Sequence, residues 1–346
     1  MRKTTLLAGL AAAVLAASAV AAAPAAKPHA PPLPRVVGRI AGPDGTWDYI
    51  RFDAARHRLY VGRNYGLMTI DLSPGQVGAG KVTAKFAEGG LVHSTVLIPG
   101  TDWLVTTNSA DNTARVISAV DGSLHASIPV GDKPDGAVFD PASGRVFVIN
   151  GDGGDISVID PATWSVVGTV AVGGSLEFAV VDGKGRLYVN SEERNDLAVI
   201  DTHTMKRIAR YALPGCEAPT GLALNRSGVL ISACANRTAV LTDAATGRHL
   251  GALAVGRHPD AVVIDEARDR AFIPCGDSGY VVVVADAGSR RPHVAGRVIT
   301  QTGAKTAALD PQTGALYLPT AVMDPPATPG GRPIPRPGTF EVLVVR

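Results

Sequence analysis

The stretches KPDGAVFD at residues 133–140 and HPDAVVID at residues 258–265 spell one pattern, an acid followed by an apolar run that ends in a second acid. Variants of this pattern recur along the chain at intervals of 40 to 45 residues. Such self-similarity at a fixed period indicates a repeat architecture, here with seven copies. The first residues of the copies are Asp48, His93, Asp135, Glu177, Thr220, Asp260 and Lys305.

Each copy continues with three further short strands separated by polar turns. In the third copy these are RVFVI at 145–149, ISVID at 156–160 and SVVGTVAVG at 165–173. Four short strands in a repeat of about forty residues are typical of one β-propeller blade. We therefore predict an all-β, seven-bladed β-propeller of four-stranded blades, with blades starting near residues 47, 91, 133, 175, 217, 258 and 303.

The two ends of the repeat region complement each other. The seventh copy stops at FEVLVV (340–345) and has no fourth strand, whereas RVVGRIAG at 35–42 resembles SVVGTVAVG of the third copy. We predict that this N-terminal strand pairs with the last blade and closes the ring, which removes an open sheet edge. The propeller domain would then span residues 35–346.

The N-terminus has the pattern of a secretory signal. Arg2 and Lys3 precede the apolar stretch 6–23, and Ala19-Val20-Ala21 offers a cleavage site. We predict a signal peptide at 1–21, a Pro-rich linker at 22–34 and a periplasmic or secreted protein with no membrane span after signal removal. A net charge of +2 and 5% aromatic residues argue against a nucleic-acid partner. We expect a monomer that binds a small molecule or a protein.

The seven first residues should share one place in the fold. In a propeller blade the innermost strand starts on one face, so these residues should form a ring at the mouth of the central channel. Four of them are carboxylates, and converging carboxylates raise one another's pKa or bind a cation. An alternative is that each residue only hydrogen-bonds local backbone or channel water at a strand start. The predicted metal ligands are Asp48, Asp135, Glu177 and Asp260, with Ca²⁺ or another divalent cation.

The repeats also resemble a known family. LYVNSEERNDLAVIDTHT (187–204) and VFVINGDGGDISVIDPAT (146–163) are similar to the repeat of exported YVTN-type (YncE-like) propellers. The resemblance covers residues 35–346, and the stretches at 215–236 and 337–345 suggest a closer group within the family. It implies a binding protein and no established catalytic residues; some members are suggested to bind single-stranded DNA.

Two of the three cysteines lie in one repeat. Cys216 precedes the inner strand of the fifth blade and Cys234 ends its second strand. Because inner strands start and second strands end on the same propeller face, we predict a Cys216–Cys234 disulfide. Such a bridge is compatible with an exported protein. Cys275 occupies the matching position in the sixth blade and is expected to be a buried small apolar residue.

Three functions compete on this sequence. The first is a non-enzymatic exported propeller that binds a ligand or partner on the channel-mouth face. The second is a metal-dependent lactonase or esterase, in which the four carboxylates hold the ion and His93 is the general base. The third is single-stranded DNA binding, which the near-neutral charge disfavours. The Pro-rich insertion at 320–339 is either a surface loop or a partial lid that brings Arg332 and Arg336 near the ring.

Overall fold

The computed structural model describes residue 1, residues 32–73, residues 78–326, residue 328 and residues 333–346. Seven four-stranded antiparallel sheets form a ring, so the predicted all-β seven-bladed propeller is confirmed. The predicted signal peptide, apart from residue 1, and linker residues 22–31 lie outside the described residues.

In blades 1 to 6 the four strands follow one another along the chain from the channel to the perimeter. Blade 1 contains β2 (Trp47–Asp53), β3 (Arg58–Arg63), β4 (Gly66–Leu72) and β5 (Gly80–Glu88). Blade 2 contains β6 (Val92–Leu97), β7 (Trp103–Asn108), β8 (Thr113–Ser118) and β9 (Leu124–Pro129). Blade 3 contains β10 (Pro134–Asp140), β11 (Arg145–Asn150), β12 (Asp155–Asp160) and β13 (Ser165–Ala171). Blade 4 contains β14 (Leu176–Val181), β15 (Arg186–Ser191), β16 (Asp196–Asp201) and β17 (Lys206–Ala212).

Blades 6 and 7 have shorter inner strands, of three and two residues. Blade 5 contains β18 (Pro219–Leu224), β19 (Val229–Cys234), β20 (Thr238–Asp243) and β21 (His249–Ala254). Blade 6 contains β22 (Val263–Asp265), β23 (Arg270–Cys275), β24 (Tyr280–Ala285) and β25 (His293–Ile299), with 3-10 turns at Glu266–Arg268 and Gly276–Ser278. Blade 7 contains β26 (Ala308–Leu309), β27 (Leu316–Thr320), β30 (Glu341–Val345) and the N-terminal β1 (Val36–Ala41), and β28 (Met323–Asp324) pairs with β29 (Ile334–Pro335) as a separate hairpin.

Ring closure occurs as predicted, because β1 is the fourth strand of the last blade. It pairs antiparallel with β30, with Ala41 opposite Glu341 and Val36 opposite Val345. Two backbone hydrogen bonds between Arg35 and Arg346, of 3.0 and 2.9 Å, extend the ladder beyond the strand ends. The first and last strands of the domain therefore share one sheet.

The apolar core lies between the blades. Within the described residues, seven buried clusters each occupy the space between two neighbouring sheets, and one of them joins blade 7 to blade 1. Burying both faces of each sheet explains why the second and third strands are nearly continuous runs of Val, Ile and Leu. This packing stabilises the ring and fixes where each inner strand begins.

The acid that ends each repeat pattern forms a turn rather than a binding site. Asp53 is buried and its Oδ1 accepts hydrogen bonds from the amides of Ala55 (2.9 Å) and Arg56 (3.2 Å). This Asx turn leads from the inner strand into the second strand. The same turn, with a side-chain oxygen accepting an amide two or three residues on, is made by Asp140, Asp182, Asn225, Asp265 and Asp310.

The predicted disulfide is present. Cys216 and Cys234 are bonded, 18 residues apart in the chain, and they tie the start of β18 to the end of β19. Cys275 is a free, buried thiol, and burial raises its pKa to about 11. It therefore matches the expectation of a small buried residue.

The closing junction contains a fully buried cation. Arg63, with no exposed surface, donates hydrogen bonds to the backbone carbonyls of Pro43 (2.8 Å), Gly45 (3.3 Å) and Thr46 (3.0 Å). Its guanidinium carbon lies 3.8 Å from the ring centroid of Phe340, a cation–π contact. Arg63 thus links the loop after β1 to blade 1 and to the end of the chain.

Candidate functional site

Irregular strand pairing positions the first residue of each repeat. In blades 1 to 5 the register between the inner and second strands shifts at or directly beside this residue. Such a bulge leaves a residue out of the ladder and redirects its side chain. In blades 6 and 7 the inner strands start later, and the loops before them are joined by a hydrogen bond from Asp260 N to Lys305 O (3.3 Å).

The backbone leading into these positions turns sharply. Leu91, Lys133, Ala218 and His258, each two residues before a ring position, have φ near +50°, at 48°, 51°, 47° and 48°. Left-handed non-glycine residues are uncommon and need support from the surrounding structure. At Lys133 the amide donates to Asn112 Oδ1 of the preceding blade (3.0 Å). The neighbouring blade therefore helps to fix the entry into the inner strand.

His93 lies between two carboxylates. Its Nδ1 donates a short hydrogen bond to Asp48 Oδ2 and is 3.0 Å from Asp135 Oδ1, while Nε2 contacts Ser109 Oγ at 2.8 Å. Burial lowers the pKa of His93, but its close contacts with Asp135 and Asp48 and their charges outweigh burial and raise it to about 10. The imidazole is therefore a cation at neutral pH.

Lys305 joins a second pair of carboxylates. Its Nζ is 2.5 Å from Asp260 Oδ2 and 3.7 Å from Asp48 Oδ1. Burial opposes the charge, but Asp260 and Asp48 raise the pKa of Lys305. Burial also disfavours ionisation of Asp48, yet Lys305 and His93 hold the pKa of that carboxyl below its usual value. Asp48 is thus an ionised carboxylate between two cations.

The remaining two ring positions behave differently. Thr220 donates a short hydrogen bond from Oγ1 to Pro259 O and lies 3.4 Å from Ala233 O, so its hydroxyl serves the backbone. Glu177 forms no hydrogen bond or ion pair within the part of the chain that the structure describes. Burial and then the charge of Asp135, with further acids, raise the pKa of Glu177 well above its usual range. The structure thus links five of the seven predicted positions by direct contacts and leaves Glu177 unpaired.

An aromatic pair at the mouth was missed by the sequence reasoning. Tyr49 of blade 1 contacts Phe178 of blade 4, with ring centroids 5.2 Å apart and a tilt of 53°. In a ring of seven these two blades lie across the channel from each other. Burial raises the pKa of Tyr49 well above its usual value, and the charges of Asp135 and three other acids add to this effect. The one available signal was that each aromatic directly follows a ring acid in the sequence.

The predicted metal ligands are only partly grouped. Among the described residues, one set of three potential ligands has all its donor atoms within 4.8 Å of one another, namely Asp48, His93 and Asp135. Carboxylate oxygens and an imidazole suit a divalent cation. Lys305 opposes such an ion, because its ammonium already lies between Asp48 and Asp260.

The 320–339 insertion is described in part. Arg336 forms an ion pair with Asp324 of its own hairpin, at 2.5 Å, instead of contacting the ring. Gly338 N donates to Asp44 Oδ1 at 2.6 Å. Arg332, the other proposed lid residue, lies outside the described residues. The described part of the insertion therefore packs over the closing junction.

Two cavities lie away from the ring. One of about 240 Å³ is lined by Asp44, Asn64, Arg336 and Phe340 beside the insertion. Another of about 440 Å³ lies at the turns of blades 4 to 6, lined by Lys184, Arg226, Asp243 and Arg290 among others. In the second cavity Arg290 pairs with Asp243, and Arg226 pairs with Glu266 and Asp269, so its guanidinium groups are already partnered.

Comparison with known proteins identifies the fold. No protein-family model matches the chain, and no curated protein matches it in sequence. Solved structures do match in shape. Kuenenia stuttgartiensis hydrazine synthase has a TM-score of 0.67 at 15% identity, covering 81% of this chain and 92% of that one. The WD40 repeats of RRP9 give a TM-score of 0.73 at 10% identity, covering 91% and 99%.

A chain of a mitotic checkpoint complex gives a TM-score of 0.72 at 11% identity, covering 96% of this chain and 98% of that one. These identities are low, so the likeness establishes the propeller fold alone. No helix in the described part of the chain has the length and apolar character needed to cross a membrane.

Proposed function

We propose that this protein is an exported, YVTN-type propeller that binds a ligand or partner through the channel-mouth face. The observation that carries the proposal is the cluster of charged residues at the start of the inner strands. Side chains from blades 1, 2, 3, 6 and 7 meet there through His93 and Lys305. A cluster assembled from five blades on a rigid ring is pre-organised, which lowers the entropic cost of binding.

Hydrogen bonds to local backbone at the strand starts do not account for the whole cluster. Thr220 does hydrogen-bond local backbone, as the simpler interpretation expects. In contrast, Glu177 has no partner among the described residues, and Asp135 Oδ1 is buried without a hydrogen bond. A buried polar atom without a partner costs free energy, and such groups in a cleft mark candidate functional sites. One buried carboxylate oxygen without a hydrogen bond and one unpaired carboxyl group at the same mouth therefore support binding.

The binding test uses ligand-induced stabilisation. The purified chain without residues 1–21 would be screened by thermal shift against metabolites and divalent cations. We expect at least one ligand to raise the melting temperature, and Glu177→Gln and Asp135→Asn to abolish that rise. The matched control is Glu193→Gln, an exposed acid in the turn between β15 and β16 of the same blade as Glu177, which makes no described contact. Stabilisation that survives in both ring variants would contradict a mouth site.

The export test is independent of binding. The full-length chain and a chain lacking residues 1–21 would be expressed in a bacterial host and fractionated. We expect a shortened product in the periplasm or medium only from the full-length chain, with its new N-terminus near Ala21. Retention of uncleaved protein in the cytoplasm would contradict the signal peptide.

A second candidate, a metal-dependent lactonase or esterase, is favoured by the grouping of Asp48, His93 and Asp135. A divalent ion held there would polarise a substrate carbonyl. The ion would have to displace the proton that His93 donates to Asp48, so His93 would act as a ligand instead of the predicted general base. Metal analysis after dialysis and a panel of lactones test this candidate. Metal-free protein that is inactive on every lactone would contradict it.

A further inference from the structure

The charges at the channel mouth do not balance. Four ring carboxylates lie beside two ring cations, His93 and Lys305. A third cation, Lys133, pairs with Asp152 and is close enough to Asp135 and Glu177 for their charges to help raise its pKa. Lys305 contacts Asp260 and Asp48, and His93 directs its Nδ1 proton at Asp48. Glu177 is therefore the carboxyl group without an ion pair among the described residues, whereas Asp135 shares the Nδ1 of His93 with Asp48, at 3.0 Å.

Asp135 is the better defined of these two groups. The residue is 9% exposed, and its Oδ1 accepts no hydrogen bond although His93 Nδ1 is 3.0 Å away. The reason is that a ring nitrogen carries a single proton, which His93 gives to Asp48. A buried carboxylate oxygen without a hydrogen-bond donor of its own calls for an explanation, and a donor from outside the chain supplies one.

The aromatic pair determines what kind of donor fits. Tyr49 and Phe178 touch each other across the channel one residue further along the strand than the ring acids, so they form a floor beneath the carboxylates. The Tyr49 hydroxyl makes no hydrogen bond within the described residues. Aromatic faces attract organic cations, and ammonium groups are held by cages of aromatic rings and carboxylates. A Ca²⁺ ion instead takes oxygen ligands and gains nothing from an aromatic floor.

We infer that the channel mouth binds a small organic cation through its ammonium head. The carboxyl groups of Asp135 and Glu177, whose ionised forms a bound cation favours, supply the negative charge, and the rings of Tyr49 and Phe178 supply the apolar floor. The ligand class is a primary or methylated alkylammonium compound. This inference rests on the proposed binding function and specifies its ligand.

The experiment compares cations with neutral molecules of the same shape. Choline and 3,3-dimethylbutan-1-ol differ only in the charged nitrogen, and n-butylammonium and n-butanol form a second pair. Binding to the mature chain would be measured by isothermal titration calorimetry at pH 7. We expect at least one cation to bind, and its neutral counterpart to bind about tenfold more weakly or not at all.

Variants separate charge from the aromatic floor. Glu177→Gln and Asp135→Asn should each weaken cation binding about tenfold or more. Tyr49→Leu should also weaken cation binding, whereas Tyr49→Phe should retain it because the aromatic ring remains. Glu193→Gln should leave it unchanged. Thermal melts check that each variant is folded, and the Tyr49→Phe comparison keeps the test valid if Tyr49→Leu does not fold.

The outcomes distinguish this inference from the function on which it rests. Equal binding of each cation and its neutral counterpart, or cation binding unaffected by Glu177→Gln, would overturn the ammonium site. A neutral or anionic metabolite, or Ca²⁺, that binds at the mouth while every amine fails would also overturn it but leave the mouth as a binding site. Failure of all ligands in the thermal-shift screen would remove both.

Discussion

Removal of the Cys216–Cys234 disulfide gives the sharpest test of the fold energetics. The bond closes a loop of 18 residues. In the chain-entropy treatment, closing a loop of this length removes about 11 cal/mol/K of conformational entropy from the unfolded chain. This stabilises the folded state by about 3 kcal/mol at 25 °C. For a domain of about 310 residues, the unfolding entropy converts this loss into a fall in melting temperature of about 5 °C.

The assay is equilibrium unfolding in urea, followed by tryptophan fluorescence, on the double variant Cys216→Ala/Cys234→Ala. Removing two buried sulfur atoms has a cost of its own, because the core loses contacts. Cys275→Ala supplies the matched control, since Cys275 is buried and not cross-linked. We expect the double variant to lose about 3 kcal/mol more than twice the loss of the control. An excess below about 1 kcal/mol would refute the entropic reasoning, because the open chain would then be no freer than the cross-linked one.

Three further predictions concern closure and charge. Arg63→Met should cost about 3 kcal/mol in urea unfolding, because three partly buried carbonyls lose their donor. An unchanged midpoint would contradict this. Deleting residues 36–41 should expose the edge of β30 and cause concentration-dependent association in light scattering; a stable monomer would argue against closure by β1. A hydrogen bond from Arg290 is the largest of the effects that lower the pKa of Asp243 to about 2. Because the folded value lies below the unfolded one, this stabilisation is present above pH of about 4 and is lost as pH falls toward 2. Asp243→Asn should therefore flatten the pH dependence of unfolding free energy in that window, and an unchanged slope would show that the pair contributes nothing.

The fold was accessible from the sequence because a propeller repeats its local chemistry. The acid that closes each pattern, such as Asp53 or Asp140, makes the same Asx turn in blade after blade, so its spacing gives the repeat length. The missing fourth strand of the last repeat and the extra one at 36–41 predicted the closure that β1 and β30 make. The disulfide followed from the same logic, because strand order assigns each cysteine to a face.

The site was accessible only in outline. The repeat predicted that Asp48, His93 and Asp260 begin inner strands, but not which of them pair, since that depends on how each bulge turns its side chain. The contact between Tyr49 and Phe178 joins blades 1 and 4. A sequence repeat predicts contacts between neighbouring blades, so it could not predict this one. The role of Arg63 was also missed. Its guanidinium binds backbone carbonyls, so no acidic side chain in the sequence indicates its partners.

The shared last sheet has a consequence for how the molecule is made. Blades 1 to 6 each form from consecutive residues, so they can assemble one after another along the chain. The seventh needs Val36 beside Val345, which come from opposite ends of the domain. This pairing adds little entropic cost once the other six blades hold those ends together. The ring therefore stays an open crescent, with two exposed apolar flanks, until β1 and β30 pair. That interval is when a chaperone would recognise it and when truncated products would be exposed to proteolysis.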